Sequence, residues 1–88
     1  MATHETTVTK RVYELLQEYL GNTVTLSPES DLLNDLGMDS LEQVELGLKL
    51  EKIFRIKIPI AKLRSCVTVE EVAQLVQDTV HQKDVVTA

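Results

Sequence analysis

A serine with an aspartate directly before it stands at the predicted start of a helix, in the stretch LGMDSLEQVEL. Ser40 supplies a hydroxyl, Asp39 supplies a carboxylate, and Gly37 lies three residues before the serine. Serine and aspartate are both common caps at helix N-termini, and Ser40 to Gln43 fits a capping box. The local pattern therefore predicts either a helix cap or a hydroxyl presented for chemistry.

Catalytic and metal-binding interpretations of this stretch are disfavoured. A nucleophile elbow needs Gly-x-Ser-x-Gly between a strand and a helix, and no strand is predicted before Ser40. The only histidines, His4 and His81, lie near the two ends of the chain, so no base is placed to activate the hydroxyl. A calcium loop from Asp31 to Glu42 would have leucine where its sharp turn requires glycine. We predict neither a catalytic residue nor a metal site.

The remaining interpretation is an attachment point. The first backbone N–H groups of a helix have no intrahelical acceptor and form the positive end of its dipole. A phosphate esterified to Ser40 would be stabilised there without an added cation. Such a serine needs no base of its own if a separate enzyme supplies one.

The segment DLGMDSLEQVEL resembles the prosthetic-group site of acyl carrier proteins, and the resemblance extends over residues 8–82, including VYELLQEYLG, IKIP and TVEEVAQLV. It implies that Ser40 carries 4′-phosphopantetheine, added from coenzyme A by a phosphopantetheinyl transferase that recognises Asp39. It also implies a carrier, not an enzyme, that holds acyl groups as thioesters on this arm. The implied partners are acyl-loading and acyl-transferring enzymes such as ketosynthases, acyltransferases or ligases.

Apolar residues recur at helical spacing in three segments, and a proline-bounded segment leaves room for one short helix. The predicted helices lie within residues 8–20, 40–54, 60–66 and 69–82. This pattern predicts an all-α fold, a small four-helix bundle in a single domain, residues 1–88, with an ordered core over 7–82. The polar ends outside that core are predicted to be loose.

The connection before the second helix is long, and long connections tend to be functional. Ser27 and Pro28 predict a short helical turn within it. Three leucines are predicted to hold it against the core: Leu32, Leu33 and Leu36.

The second helix carries two apolar stripes. The stripe predicted to face the core is Leu46, Leu50, Ile53 and Phe54. The other stripe is Leu41, Val44 and Leu48, edged by Glu45; we call these four residues the docking strip. Spacing alone leaves two alternatives open, because this stripe could pack under the long connection or bind partner proteins. The resemblance implies that it is the recognition surface.

Gly47 lies inside the second helix, where glycine costs about 1 kcal/mol relative to alanine. It predicts either a close backbone approach, which we favour, or a point where an acyl chain enters the bundle. The lone cysteine, Cys66, excludes an internal disulfide and is predicted to be a buried apolar side chain.

The formal net charge is −5, which disfavours nucleic acids and anionic membrane surfaces as partners. Residues 1–48 hold nine acids and two bases, residues 49–64 six bases and one acid, and residues 65–88 four acids and one base. The chain shows neither a membrane-spanning apolar run nor a secretory signal at its start, so we expect a cytoplasmic protein. We also expect it to be a monomer.

The basic segment departs from bacterial fatty-acid carriers, whose second and short helices are typically rich in acids. Within the family that the chain resembles, this departure favours a specialised carrier, of polyketide or another dedicated acyl pathway. A housekeeping fatty-acid carrier is the alternative. A structural or regulatory protein that keeps this fold but is never modified is a third possibility.

Overall fold

The computed structural model describes the backbone of residues 3–21 and 23–86, and the side chains of 7–21 and 23–82. Within that part of the chain there are four helices: α1 Thr3–Leu20, α2 Ser40–Phe54, α3 Ile60–Arg64 and α4 Val69–Val86. The described residues form no strand, and their only β pairing is an isolated bridge between Asp31 and Thr68. This confirms the predicted all-α bundle with three longer helices and one short helix.

The two outer helices are longer than the apolar spacing predicts. The backbone is helical from Thr3 and through Val86, beyond the predicted bounds of 8 and 82. Neither added segment contains glycine or proline, and a helix that has formed extends easily through polar residues. None of the helices described is long and apolar enough to cross a membrane.

The core lies between α1 and α4, and α2 packs against α1 and α3. The fully buried side chains of the helices are Val12, Leu16, Leu46, Leu50, Val69, Val72 and Val76. Ile53 and Phe54 lie at the margin of this core instead of inside it, since Ile53 is 42% exposed and Phe54 is half-buried. α2 ends there, because Arg55 adopts a left-handed conformation (φ 57°) that turns the chain away.

The connection between α1 and α2 is tied to the start of α4 by backbone hydrogen bonds. The Leu32 N–H donates to the Val67 carbonyl at 2.8 Å, and the Val69 N–H donates to the Ser30 carbonyl at 3.0 Å. The predicted helical turn after Ser27 is instead a turn closed by a Ser30 N–H donating to the Ser27 carbonyl. The connection is therefore an ordered part of the fold.

Two of the three leucines predicted to anchor this connection do so. Leu32 is fully buried and Leu36 is half-buried against the core, but Leu33 is 59% exposed. Met38, which the spacing did not identify, is fully buried. It therefore provides the anchor that Leu33 does not.

Gly47 allows α3 to pack directly against the backbone of α2. A Cβ atom added at position 47 would overlap Cδ2 of Leu63, a side chain that is itself buried. The close approach predicted at Gly47 is present, but it is made by the side chain of Leu63 and not by another backbone, as was predicted.

The Gly47→Ala variant is expected to be less stable than the wild type. Alanine improves helix propensity by about 1 kcal/mol, but forcing a methyl group against a buried leucine costs about 1–3 kcal/mol. Urea unfolding should show a net loss of about 1 kcal/mol, and Gly47→Ala/Leu63→Val should recover part of it. A single variant more stable than the wild type would contradict the close packing.

Candidate functional site

The N-terminus of α2 is capped by Asp39. This residue is extended (φ −81°, ψ −179°), and its carboxylate accepts the Glu42 N–H at 2.9 Å. The Glu42 carboxylate in turn accepts the Asp39 N–H at 3.1 Å. The capping box is therefore Asp39 to Glu42 and not Ser40 to Gln43, which makes Ser40 the first residue of the helix.

Ser40 is exposed and does not cap the helix, because Asp39 does. In the described part of the chain, no residue hydrogen-bonds to its hydroxyl, and no acceptor lies against the backbone N–H of Ser40 or of Leu41. The capping box thus satisfies two of the four N–H groups that a helix start leaves unpaired, and two stay open. An anionic group on the Ser40 hydroxyl would be stabilised by these N–H groups and by the helix dipole.

The other three serines are engaged. Ser30 is buried, and its Oγ accepts the Ser27 N–H at 3.0 Å and lies 3.1 Å from the Ser27 Oγ. Ser65 is exposed, but its hydroxyl donates to the Lys62 carbonyl at 2.7 Å, at the C-terminal end of α3. The dipole is negative at a helix C-terminus and disfavours an added phosphate there. Ser40 is the one serine whose free hydroxyl lies at a helix N-terminus.

Gly37 and Met38 explain how Ser40 reaches the surface. Gly37 has φ +70°, a left-handed conformation that glycine adopts without strain, and its N–H donates to the Leu33 carbonyl at 3.0 Å. The Met38 N–H donates to the Leu32 carbonyl at 2.8 Å, and its side chain fills the core. Sequence reasoning missed Met38, although an apolar residue directly before an N-cap often fixes how the chain enters a helix.

The docking strip lies on the exposed face of α2. Leu41 and Leu48 are 66% and 59% exposed, Glu45 is exposed, and Val44 is half-buried. The stripe therefore does not pack under the long connection. The Tyr19 hydroxyl donates to the Glu45 carboxylate at 3.0 Å. The pKa of Tyr19 is raised, mainly by desolvation and secondly by this hydrogen bond.

A groove of about 170 Å³ runs beside the docking strip, between α2 and α3. Its lining comprises Val44, Gly47, Leu48, Glu51, Ile58, Ile60 and Leu63. The one charged group in it, Glu51, accepts the Ile58 N–H at 2.7 Å. Leu63 packs against Gly47, and both residues line this groove. The groove offers a small apolar surface that remains open to solvent.

The described residues contain no cluster of three or more His, Cys, Asp or Glu side chains that could hold a metal ion. Cys66 is buried as predicted, and burial raises the pKa of its thiol. A thiol in that state is a poor nucleophile at neutral pH. The described chain therefore supplies no reactive sulfur of its own near Ser40.

Residues 10–76 match the family model described as the phosphopantetheine attachment site, and this range includes Ser40. The chain is also similar to an acyl carrier protein of Coprothermobacter proteolyticus, at 32% identity over 79 residues, which cover 84% of this chain and 96% of that protein. The chain belongs to the acyl carrier protein family. A crystal structure of a Toxoplasma-specific mitochondrial acyl carrier protein matches with a TM-score of 0.73 and 26% identity, over 85% of this chain and 89% of that one.

Membership of this family identifies the chain as a carrier and not an enzyme, and 4′-phosphopantetheine as its cofactor. The surroundings of Ser40 fit that group. Its phosphate would lie at the unpaired N–H groups of α2, and solvent exposure leaves room for a long arm.

Proposed function

We propose that Ser40 is the residue to which 4′-phosphopantetheine is attached. The observation that carries this proposal is the free, exposed hydroxyl at the N-terminus of α2. Because Asp39 takes the capping role, the hydroxyl can be esterified without loss of a hydrogen bond that stabilises the fold. The transferase would supply the base that this chain lacks at Ser40.

The proposed role of the protein is to hold acyl groups and deliver them to partner enzymes. When bound, the arm supplies a terminal thiol that carries acyl groups as thioesters. The bundle holds the attachment point at one fixed place on the surface, and tethering raises the effective concentration of the acyl group at a docked enzyme. Partner binding has to stay weak enough for the carrier to leave.

The docking strip is suited to such weak binding. Leu41 and Leu48 expose apolar surface that a partner can cover, and this contact fixes the register of docking. Glu45 and the neighbouring acids speed encounter with a basic partner surface. We propose ketosynthases, acyltransferases or ligases, together with the transferase, as the enzymes that bind here.

A specialised pathway, of polyketide type or for another dedicated acyl group, is the setting that the charge distribution favours. An enzyme whose docking surface is basic throughout would repel the basic residues after Leu48. The single buried cysteine suits a reducing compartment, and we propose the cytoplasm.

The deciding experiment is the intact mass of the protein after incubation with coenzyme A and a broad-specificity phosphopantetheinyl transferase. We expect the mass of one 4′-phosphopantetheine group to be added, and peptide mapping to place it on Ser40. No addition under conditions that modify a known carrier would overturn the proposal and favour an unmodified structural or regulatory protein.

Replacing Asp39 by asparagine is expected to slow modification without weakening the fold. Asparagine caps a helix about as well as aspartate, so the free energy of unfolding should change by less than about 0.5 kcal/mol. The lost charge removes a charge-assisted contact to the transferase, worth about 1.5–3 kcal/mol, so kcat/KM of the transferase should fall by about 10- to 100-fold.

The Asp39→Ala variant separates the two roles of this residue. It should show the same kinetic loss and, in addition, about 1 kcal/mol of lost stability from the missing cap. Unchanged transferase kinetics in Asp39→Asn would show that the carboxylate acts only as a cap.

A further inference from the structure

The chain that forms α2 and the segments beside it divides into two consecutive halves of opposite charge. Residues 31–48 hold five acids and no base, whereas residues 49–64 hold six bases and one acid. Formal charges of −5 and +5 are therefore adjacent along the chain. The acidic half contains Ser40 and the whole docking strip.

Part of the basic half lies on the same side of α2 as the docking strip. Lys52 lies seven residues after Glu45, which places both on one side of α2, about 10 Å apart along its axis. Both are exposed. Lys57, Lys62 and Arg64 follow on the next segment and on α3, which packs against α2, and all three are exposed.

These cations are not neutralised within the described chain. One ion pair in the described chain joins Arg11 and Glu14, both on α1. Glu51, the one acid of the basic half, is engaged by the Ile58 N–H. Lys52, Lys57, Lys62 and Arg64 form no ion pair with any described residue, so their charge is available to a partner.

We infer that the docking surface is bipolar and extends beyond the docking strip to a basic patch formed by Lys52, Lys57, Lys62 and Arg64. It fits an acyl-handling enzyme that has basic side chains at the entrance to its active site and an acidic patch about 18 Å away, the axial distance from Ser40 to Lys52. This inference rests on the proposed carrier function.

Such an arrangement determines the direction of docking as well as its strength. An enzyme that binds in the reversed direction would bring like charges together at both ends, and an enzyme with basic residues throughout would be repelled by the basic patch. A uniformly acidic helix lacks this discrimination. The bipolar surface therefore selects partners by the position of their acids.

The test uses as its probe a ketosynthase chosen because only basic side chains surround its active-site entrance. Its dissociation constant is measured at low salt for the wild-type carrier and for Lys52→Glu/Lys62→Glu. Since the variant replaces two repulsive contacts with attractive ones, we expect at least tenfold tighter binding. The gain should shrink at 0.5 M salt, where charges at this spacing are screened.

Single variants with matched charge provide the control. Lys52→Glu and Lys10→Glu change the net charge equally, but Lys10 lies on α1. We expect at least threefold tighter binding for the first and less than twofold for the second. Equal effects, or no gain in the double variant, would overturn the inference.

Two further measurements change the charge of the ketosynthase instead of the carrier and compare the carrier before and after modification at Ser40. Acidic residues introduced into the ketosynthase opposite the basic patch should tighten wild-type binding at least fivefold, and an unchanged affinity would count against the bipolar surface. All affinities are measured with and without transferase treatment. Absence of the mass gain at Ser40 overturns the carrier function, whereas equal affinities of the charge variants overturn only the bipolar surface.

Discussion

The Ser40→Ala variant is expected to gain no mass when it is incubated with coenzyme A and the transferase, while Ser65→Ala takes up one full group. The expected loss is complete because no other described serine combines a free hydroxyl with a helix N-terminus. Ser40→Ala should still fold, since the cap is formed by Asp39 and the removed hydroxyl has no partner in the described chain.

Ser65→Ala is the matched control, because it removes an exposed serine hydroxyl of the same size from the opposite kind of helix end. Circular dichroism should show the same helix content in both variants. Modification of Ser40→Ala at a rate near that of the wild type would place the attachment site elsewhere in the chain.

The sequence identifies the segment that holds the site but not which residue caps it. Asp39 and Ser40 are both cap residues, and each is followed three positions later by a residue that can complete a capping box. A shift of one residue decides between a serine engaged in the cap and a free serine. The structure resolves this because Glu42, three residues after Asp39, closes the box.

Burial could be predicted where residues repeat at helical spacing through the middle of a helix, but not at the end of α2, where Ile53 is 42% exposed, or in the connection before α2. The apolar face of α4 is buried as the spacing predicts, because a long helix shows one consistent side to the core. The connection before α2 has no period, so Leu33 and Met38 are equally plausible anchors from composition alone. Its hydrogen bonds to α4 bury Met38 and leave Leu33 in solvent.

Replacing Met38 by alanine is expected to cause the largest loss of stability near the site. The side chain is fully buried, and truncation of a buried methionine costs about 2–5 kcal/mol. A domain of this size has a free energy of unfolding of about 4–13 kcal/mol, so the loss is a large fraction of it. A loss of about 3 kcal/mol would lower the midpoint of thermal unfolding by roughly 12–24 °C.

Two further variants test whether this loss comes from the burial of the side chain at position 38. Met38→Leu nearly conserves volume and should cost less than about 1.5 kcal/mol, while Leu33→Ala removes an exposed side chain and should change stability by less than about 0.5 kcal/mol. Because Met38 directly precedes Asp39, which caps α2, its truncation should also speed hydrogen exchange at the Glu42 amide, which donates to the Asp39 carboxylate. Equal losses in Met38→Ala and Leu33→Ala would mean that this connection is not anchored through Met38.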